Sequence, residues 1–120
     1  MKKGIKIGKV AGPYSPGILA SGDKFIFVSG QIANNLEADI RTQTKEVITK
    51  IKTILAEEKT LLSDVVKTTV YLADIKDFSV VNEEYKEFFS ETSPPARAAL
   101  QAAALPLNAR IMIEAIAIKQ

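Results

Sequence analysis

Near the C-terminus the chain runs Ile111-Met112-Ile113-Glu114-Ala115-Ile116-Ala117-Ile118, apolar at every position but Glu114. Successive side chains of a strand point to opposite faces, so this strand presents apolar groups on both sides. A strand of that kind belongs in the middle of a sheet with both faces covered. One face must meet helices. The other must also meet something, and two helices cannot cover both. In a chain of 120 residues the remaining cover is a second copy, so the strand predicts oligomerisation.

The rest of the sequence supplies the helices and the other strands. Thr44, Val47, Ile48, Ile51, Ile54 and Leu55 recur at spacings of three and four, which predicts an amphipathic helix of about five turns from Asp39, its N-cap, to Glu58-Lys59-Thr60. A second helix follows Asp74 or Asp77, with the stripe Phe78, Val81, Tyr85, Phe88 and Phe89, and is closed by Pro94-Pro95. Strands are expected at Gly4 to Val10, Ile18 to Ala20, Phe25 to Ser29 (stopping at Gly30), Val65 to Ala73, Arg97 to Leu105 and Arg110 to Ile118. The last two, joined by Pro106-Leu107-Asn108-Ala109, read as a hairpin. The order β-β-β-α-β-α-β-β implies one α+β domain over 1–120, with both helices on one face of the sheet.

Composition excludes several kinds of chemistry. The sequence has no cysteine and no histidine, so it has no thiol nucleophile, no disulfide and no imidazole base or metal ligand. A net charge of +2, with sixteen basic and fourteen acidic residues interspersed, is no nucleic-acid footprint. Neither a signal peptide nor a spanning segment is evident, and a cytoplasmic protein away from membranes is expected.

One charged residue stands out. Arg97 follows Pro94-Pro95-Ala96 and opens an apolar strand. A half-buried guanidinium keeps its charge and needs a planar anion, which a carboxylate supplies through two parallel bonds. The only acid after Arg97 is Glu114. Either Glu114 neutralises Arg97, or Arg97 is kept for a carboxylate from outside. Glu114, set in an apolar strand, is itself either a water-positioning carboxylate or a structural one bonded to backbone N–H groups.

Along its whole length the sequence resembles the RidA (YjgF/YER057c/UK114) family. The resemblance is carried by Gly12-Pro13-Tyr14-Ser15, Val28-Ser29-Gly30-Gln31-Ile32, Thr42-Gln43-Thr44, Asp64 to Leu72 with Asp74, Val81-Asn82 with Tyr85, Pro95-Ala96-Arg97, Leu105-Pro106 and Ile113-Glu114-Ala115. It implies a chorismate-mutase-like mixed sheet and a homotrimer with sites between subunits. The implied activity is hydrolysis of 2-iminobutanoate and 2-iminopropanoate to 2-oxo acids and ammonia, without a cofactor or metal. The imines would come from pyridoxal-phosphate-dependent dehydratases.

On that resemblance Arg97, Glu114 and Tyr14 are the expected catalytic residues. Arg97 takes the carboxylate, Glu114 a water, and Tyr14 donates a hydrogen bond beside the alkyl group. Ser29, Gly30, Gln31, Asn82, Ala98 and Ala99 are the expected substrate-binding residues, the last two through their backbone. Blander roles exist for several: Gly30 as a turn glycine, Tyr14 as a half-buried loop residue, Asn82 as a polar spot on its helix, Ser29 as a strand-end hydroxyl. The sequence departs from the family at Pro16, Lys59, Ala104, Leu107 and Met112, in the shorter loop before Pro94, and at Ala99, where relatives often carry cysteine. A non-catalytic trimer that binds a small carboxylate and regulates a partner is the alternative on the same fold.

Overall fold

A computed structural model describes residues 1–89 and 92–120. The elements follow the expected order: β1 (Lys2–Ile5), β2 (Gly17–Ala20), β3 (Lys24–Gln31), α1 (Ile40–Ala56), β4 (Val65–Leu72), α2 (Phe78–Phe88), β5 (Ala96–Gln101) and β6 (Ile111–Lys119). Short 3-10 turns precede β4, α2 and β6. β1 and β2 pair with each other as a small sheet of their own.

The main sheet has the order β3-β6-β4-β5. β6, the two-faced apolar strand, is interior and antiparallel to both β3 and β4. β5 lies at the edge, parallel to β4. The expected hairpin between the last two strands is therefore not formed. Chain order favours a hairpin, but the helix between β4 and β5 makes a crossover connection, which sets those two strands parallel and adjacent. The chain then returns over the end of β4. Ala102 N–H donates to Leu72 C=O at 2.9 Å, and Ala73 N–H donates to Arg110 C=O at 3.0 Å. Leu107 and Asn108, with φ of 56° and 59°, make the reversal. β5 accordingly stops at Gln101 rather than Leu105.

The helices share one face. Ile40, Thr44, Val47, Ile48, Ile51 and Leu55 of α1 are buried against β3, β6 and α2. Asp39 caps α1, accepting from Thr42 N–H at 2.8 Å, and that bond holds its carboxyl below the usual carboxylate range. The helix ends in a left-handed Lys59, φ 53°, where glycine is the unstrained choice; the departure costs about 1 kcal/mol. α2 buries Val81 and Tyr85, and the Tyr85 and Phe89 rings stack at 4.5 Å. It ends at Phe88, ahead of Pro94-Pro95, so the prolines do not close it. The shortened loop before Pro94 includes residues 90 and 91, which lie outside the described residues.

The opposite face of the sheet has no helix among the described residues. Phe25 and Phe27 are 58% and 74% exposed there, beside Ile116. Leu100 on β5 is 42% exposed. This is the uncovered apolar face that the sequence of β6 foreshadows.

Candidate functional site

Arg97 is held on the helix side of the sheet. Its register partner on β4 is Thr68, which is fully buried and shares a 2.8 Å hydrogen bond with the Tyr85 hydroxyl. The guanidinium carbon sits 4.9 Å from the Tyr85 ring centre, 5.3 Å from Phe78 and 5.6 Å from Tyr14. Three rings thus offer their negative faces to one cation. Nη1 donates to Asn82 Oδ1 at 2.6 Å. Among the described residues no carboxylate lies within ion-pair distance of Arg97. Burial pulls its pKa below the usual arginine value, the tyrosines oppose that pull, and the group stays a cation.

The loop bearing Tyr14 is fixed by the two prolines. They lack N–H groups, but their carbonyls are free to accept. Ser15 N–H donates to Pro95 C=O at 3.1 Å, and Ser15 Oγ bonds Pro94 C=O. Ser15 also bridges to Ala96, which lays the loop along the start of β5. Gly12 completes the wall: a Cβ there would stand 3.2 Å from Arg97 Nη2. A concavity of about 210 Å³ opens beside it, lined by Gly12, Tyr14, Ser15 and Pro16 among others. Beyond Ala96 the outer edge of β5 has no strand partner among the described residues, so one N–H of the pair Ala98 and Ala99 faces outward.

Glu114 lies on the other side of the sheet. Its partner on β4 is Thr69, the residue next to Thr68. Consecutive strand residues face oppositely, so Arg97 and Glu114 of one chain are separated by the sheet. The expected alternative of a direct Arg97–Glu114 ion pair fails within the chain for that reason. Glu114 is exposed although its strand is apolar. Tyr71 donates to Glu114 Oε1 at 2.9 Å.

Ser29 and Gly30 stand opposite Glu114. The register runs from Val28↔Ala115 to Gln31↔Ile113, so two residues of β3 face the single Glu114 of β6 as a β-bulge. The Gln31 side chain folds back to Ser29 C=O at 3.0 Å. Gly30 leaves room for Met112: a Cβ would come within 2.7 Å of Met112 Sδ, and the thioether would have to move. Together with Phe27, Lys67 and Thr69, Ser29 and Glu114 line a concavity of about 320 Å³.

The residues proposed from the sequence therefore fall into two half-sites. One joins Arg97, Tyr14 and Asn82 with the β5 edge at Ala98 and Ala99. The other joins Glu114 with Ser29, Gly30 and Gln31. The sequence matches the Endoribonuclease L-PSP family over residues 6–119. The chain belongs to that family. It is 48% identical to a RutC family protein of Pyrococcus abyssi, over 96% of this chain and 93% of the relative. It is 43% identical to human 2-iminobutanoate/2-iminopropanoate deaminase, over 90% of this chain and 81% of the relative. Among solved structures, Escherichia coli TdcF with bound serine superposes with a TM-score of 0.76 at 32% identity, over 98% of this chain and 99% of that one.

Three further residues of this L-PSP family member were not singled out as site residues from the sequence. Phe78 and Tyr85 read as core positions of α2 because their spacing is that of a buried stripe, yet their rings carry Arg97. Tyr71 reads as an ordinary strand residue, yet it reaches Glu114. An aromatic stripe facing a strand that begins with arginine is the signal for the first two; nothing in the sequence alone marks Tyr71. No helix among the described residues is long and apolar enough to cross a membrane.

Proposed function

We propose that the protein hydrolyses small 2-imino acids, 2-iminobutanoate and 2-iminopropanoate, to the 2-oxo acids and ammonia. The observation that carries this reading is the state of Arg97: a cation half-buried on three rings, bonded to one neutral amide, and lacking a carboxylate partner among the described residues. Such a guanidinium suits the carboxylate of a small acid. The name of the human relative supplies the chemical class. Serine in the TdcF structure is a small carboxylate of similar size.

In the proposed reaction Arg97 takes the carboxylate and Tyr14 flanks the alkyl group. Glu114 holds a water against the imine carbon. Water adds to C=N, the nitrogen takes a proton, and the tetrahedral adduct expels ammonia as the C=O forms. The outward backbone N–H of the Ala98-Ala99 pair, together with the backbone of the Ser29-Gly30 bulge, suits the substrate's oxygens. Positioning suffices for a reaction of this kind, with no covalent intermediate.

Because the sheet separates Arg97 from Glu114, the complete site is formed by Arg97 of one protomer and Glu114 of another. The exposed Phe25 and Phe27 favour that assembly. We take it to be a homotrimer with three clefts, cytoplasmic, acting on imines released by pyridoxal-phosphate-dependent dehydratases.

A coupled assay tests the reading. Threonine dehydratase and threonine generate 2-iminobutanoate, semicarbazide traps it, and the protein competes with the trap. Faster oxo-acid formation with wild type and not with Arg97→Ala is the expected outcome. No effect of wild type on any of several amino-acid imines refutes the reading. It would favour the second one, a trimeric carboxylate-binding regulator, for which the Arg97 half-site alone suffices. The word endoribonuclease in the family's name invites a third test. With no histidine and a net charge of +2, salt-sensitive RNA retention on a filter is not expected.

A further inference from the structure

Glu114 has two carboxylate oxygens, and the protein treats them differently. Oε1 accepts the Tyr71 phenol at 2.9 Å. Oε2 has no hydrogen-bond partner among the described residues. An acid with both oxygens free rotates about its last torsion and presents either one. An acid with one oxygen pinned presents the other in a fixed direction.

The bond follows from the register. Tyr71 pairs with Met112, and Glu114 pairs with Thr69 two residues back along β4. Tyr71 and Glu114 are thus diagonal neighbours on the open face, a separation that a tyrosine spans and a smaller side chain does not. On the other flank of β6, facing Glu114 itself, lies the Ser29-Gly30 bulge of β3. The phenol therefore holds Glu114 from one flank and the bulge faces it from the other. Lys67 of β4 is the other charged group lining this concavity.

We propose that Tyr71 is a positioning residue: it fixes Glu114 Oε1 so that Oε2 is the oxygen that receives the water. This rests on the deaminase reading of the site. Tyr71 is well suited to the task because it remains a donor throughout the working range. Its hydrogen bond to Glu114, with burial adding to the effect, raises the phenol above the ordinary tyrosine pKa.

Two measurements on the intact assembly test the proposal. The first is kinetic, with 2-iminobutanoate. Tyr71→Phe keeps the ring and removes the donor. It should lower kcat about tenfold and leave KM within about twofold, since carboxylate binding belongs to Arg97. In a Glu114→Gln background the same change should cost less than about twofold, because the group that the phenol orients no longer serves as base. An unchanged kcat in Tyr71→Phe, or a full tenfold loss persisting in the Glu114→Gln background, overturns the assignment. The second measurement needs no activity. Isotope-labelled tyrosine is titrated by NMR, with Tyr71→Phe identifying the Tyr71 signal among the three tyrosines. Tyr71 should titrate later than a free tyrosine, and Glu114→Gln should move it earlier. A Tyr71 that titrates normally and ignores Glu114→Gln shows that the bond is not made in solution and removes the proposal. Wild type without deaminase activity, but with the late-titrating Tyr71, removes the deaminase reading and the catalytic role of Tyr71 together, while leaving the bond established.

Discussion

The two faces of the sheet solve different problems. On the helix side Arg97 is boxed in by Tyr14, Phe78, Tyr85 and Asn82, all from its own protomer. Each group there is supported by another: Thr68 holds Tyr85, and Ser15 ties the Tyr14 loop to the prolines. On the open side Glu114 has one phenol for company and stands among exposed apolar groups, with Phe27 74% exposed. The cation's surroundings are built within one chain; the anion's are largely open. Keeping them on opposite faces has a physical benefit. If Arg97 and Glu114 met inside one protomer they would neutralise each other, and the guanidinium would have nothing to offer a substrate carboxylate.

The largest expected effects come from breaking one half-site at a time. Arg97→Ala should lower kcat/KM on the order of a thousandfold, the loss of two charge-assisted hydrogen bonds. Glu114→Gln should lower kcat on the order of a hundredfold with KM little changed. Mixing the two inactive proteins and reassembling them gives the sharper result. If each cleft draws its halves from different protomers of a closed ring, random mixing restores both wild-type halves in about a quarter of the clefts. Activity rising toward that level supports the shared site. No recovery, with mixed trimers verified by mass, would mean that both halves of each site belong to one chain.

Phe27→Asp attacks the open face alone. It places a charge on an apolar surface that another protomer should cover. If the proposed trimer holds, sedimentation should fall from three times the 13.1 kDa chain mass to a single chain, and the proposed deaminase activity should go with it. The Arg97 pocket should survive, because none of the groups that surround the guanidinium lies on that face. An unchanged mass would show that the interface is elsewhere.

How much of this was readable beforehand differs between the two faces. The two-sided apolar run of Ile111 to Ile118 placed β6 inside a sheet, and Arg97 after two prolines marked a half-buried cation. What the sequence concealed was their relation. It depends on β4 lying between β5 and β6, with Thr68 paired to one and Thr69 to the other. A hairpin of the last two strands, the simplest expectation from chain order, would have put Arg97 and Glu114 on neighbouring strands and hidden the separation. Phe78 and Tyr85 were concealed for another reason: a ring that supports a cation and a ring that fills a core occupy the same helical stripe.

Tyr85→Phe probes the helix side by a smaller step. The ring stays under Arg97, while the Thr68 hydroxyl loses its buried partner. Unfolding free energy should drop by about 1–2 kcal/mol in denaturant titrations, with the sedimentation mass unchanged. KM should rise only modestly, since the ring face that meets Arg97 is retained. A large rise in KM would mean that the Thr68–Tyr85 bond, and not the ring alone, sets where the guanidinium lies.

The smallest expected effect separates crowding from chemistry at the bulge. Gly30→Ala adds a methyl group where Met112 Sδ would be 2.7 Å away, too close to tolerate without movement. The obstacle is a flexible thioether and not backbone, and Gly30 is absent from the positive-φ positions, so the methyl group strains no dihedral. Met112 can swing aside, and activity should fall only a few-fold, mostly in kcat, as the bulge shifts against Glu114. If crowding is the cause, Met112→Ala should restore most of the lost rate in the double variant while doing little by itself. If the double variant is as slow as Gly30→Ala, the methyl group instead obstructs the substrate, and the close backbone approach at Gly30 serves the ligand more than the packing of Met112.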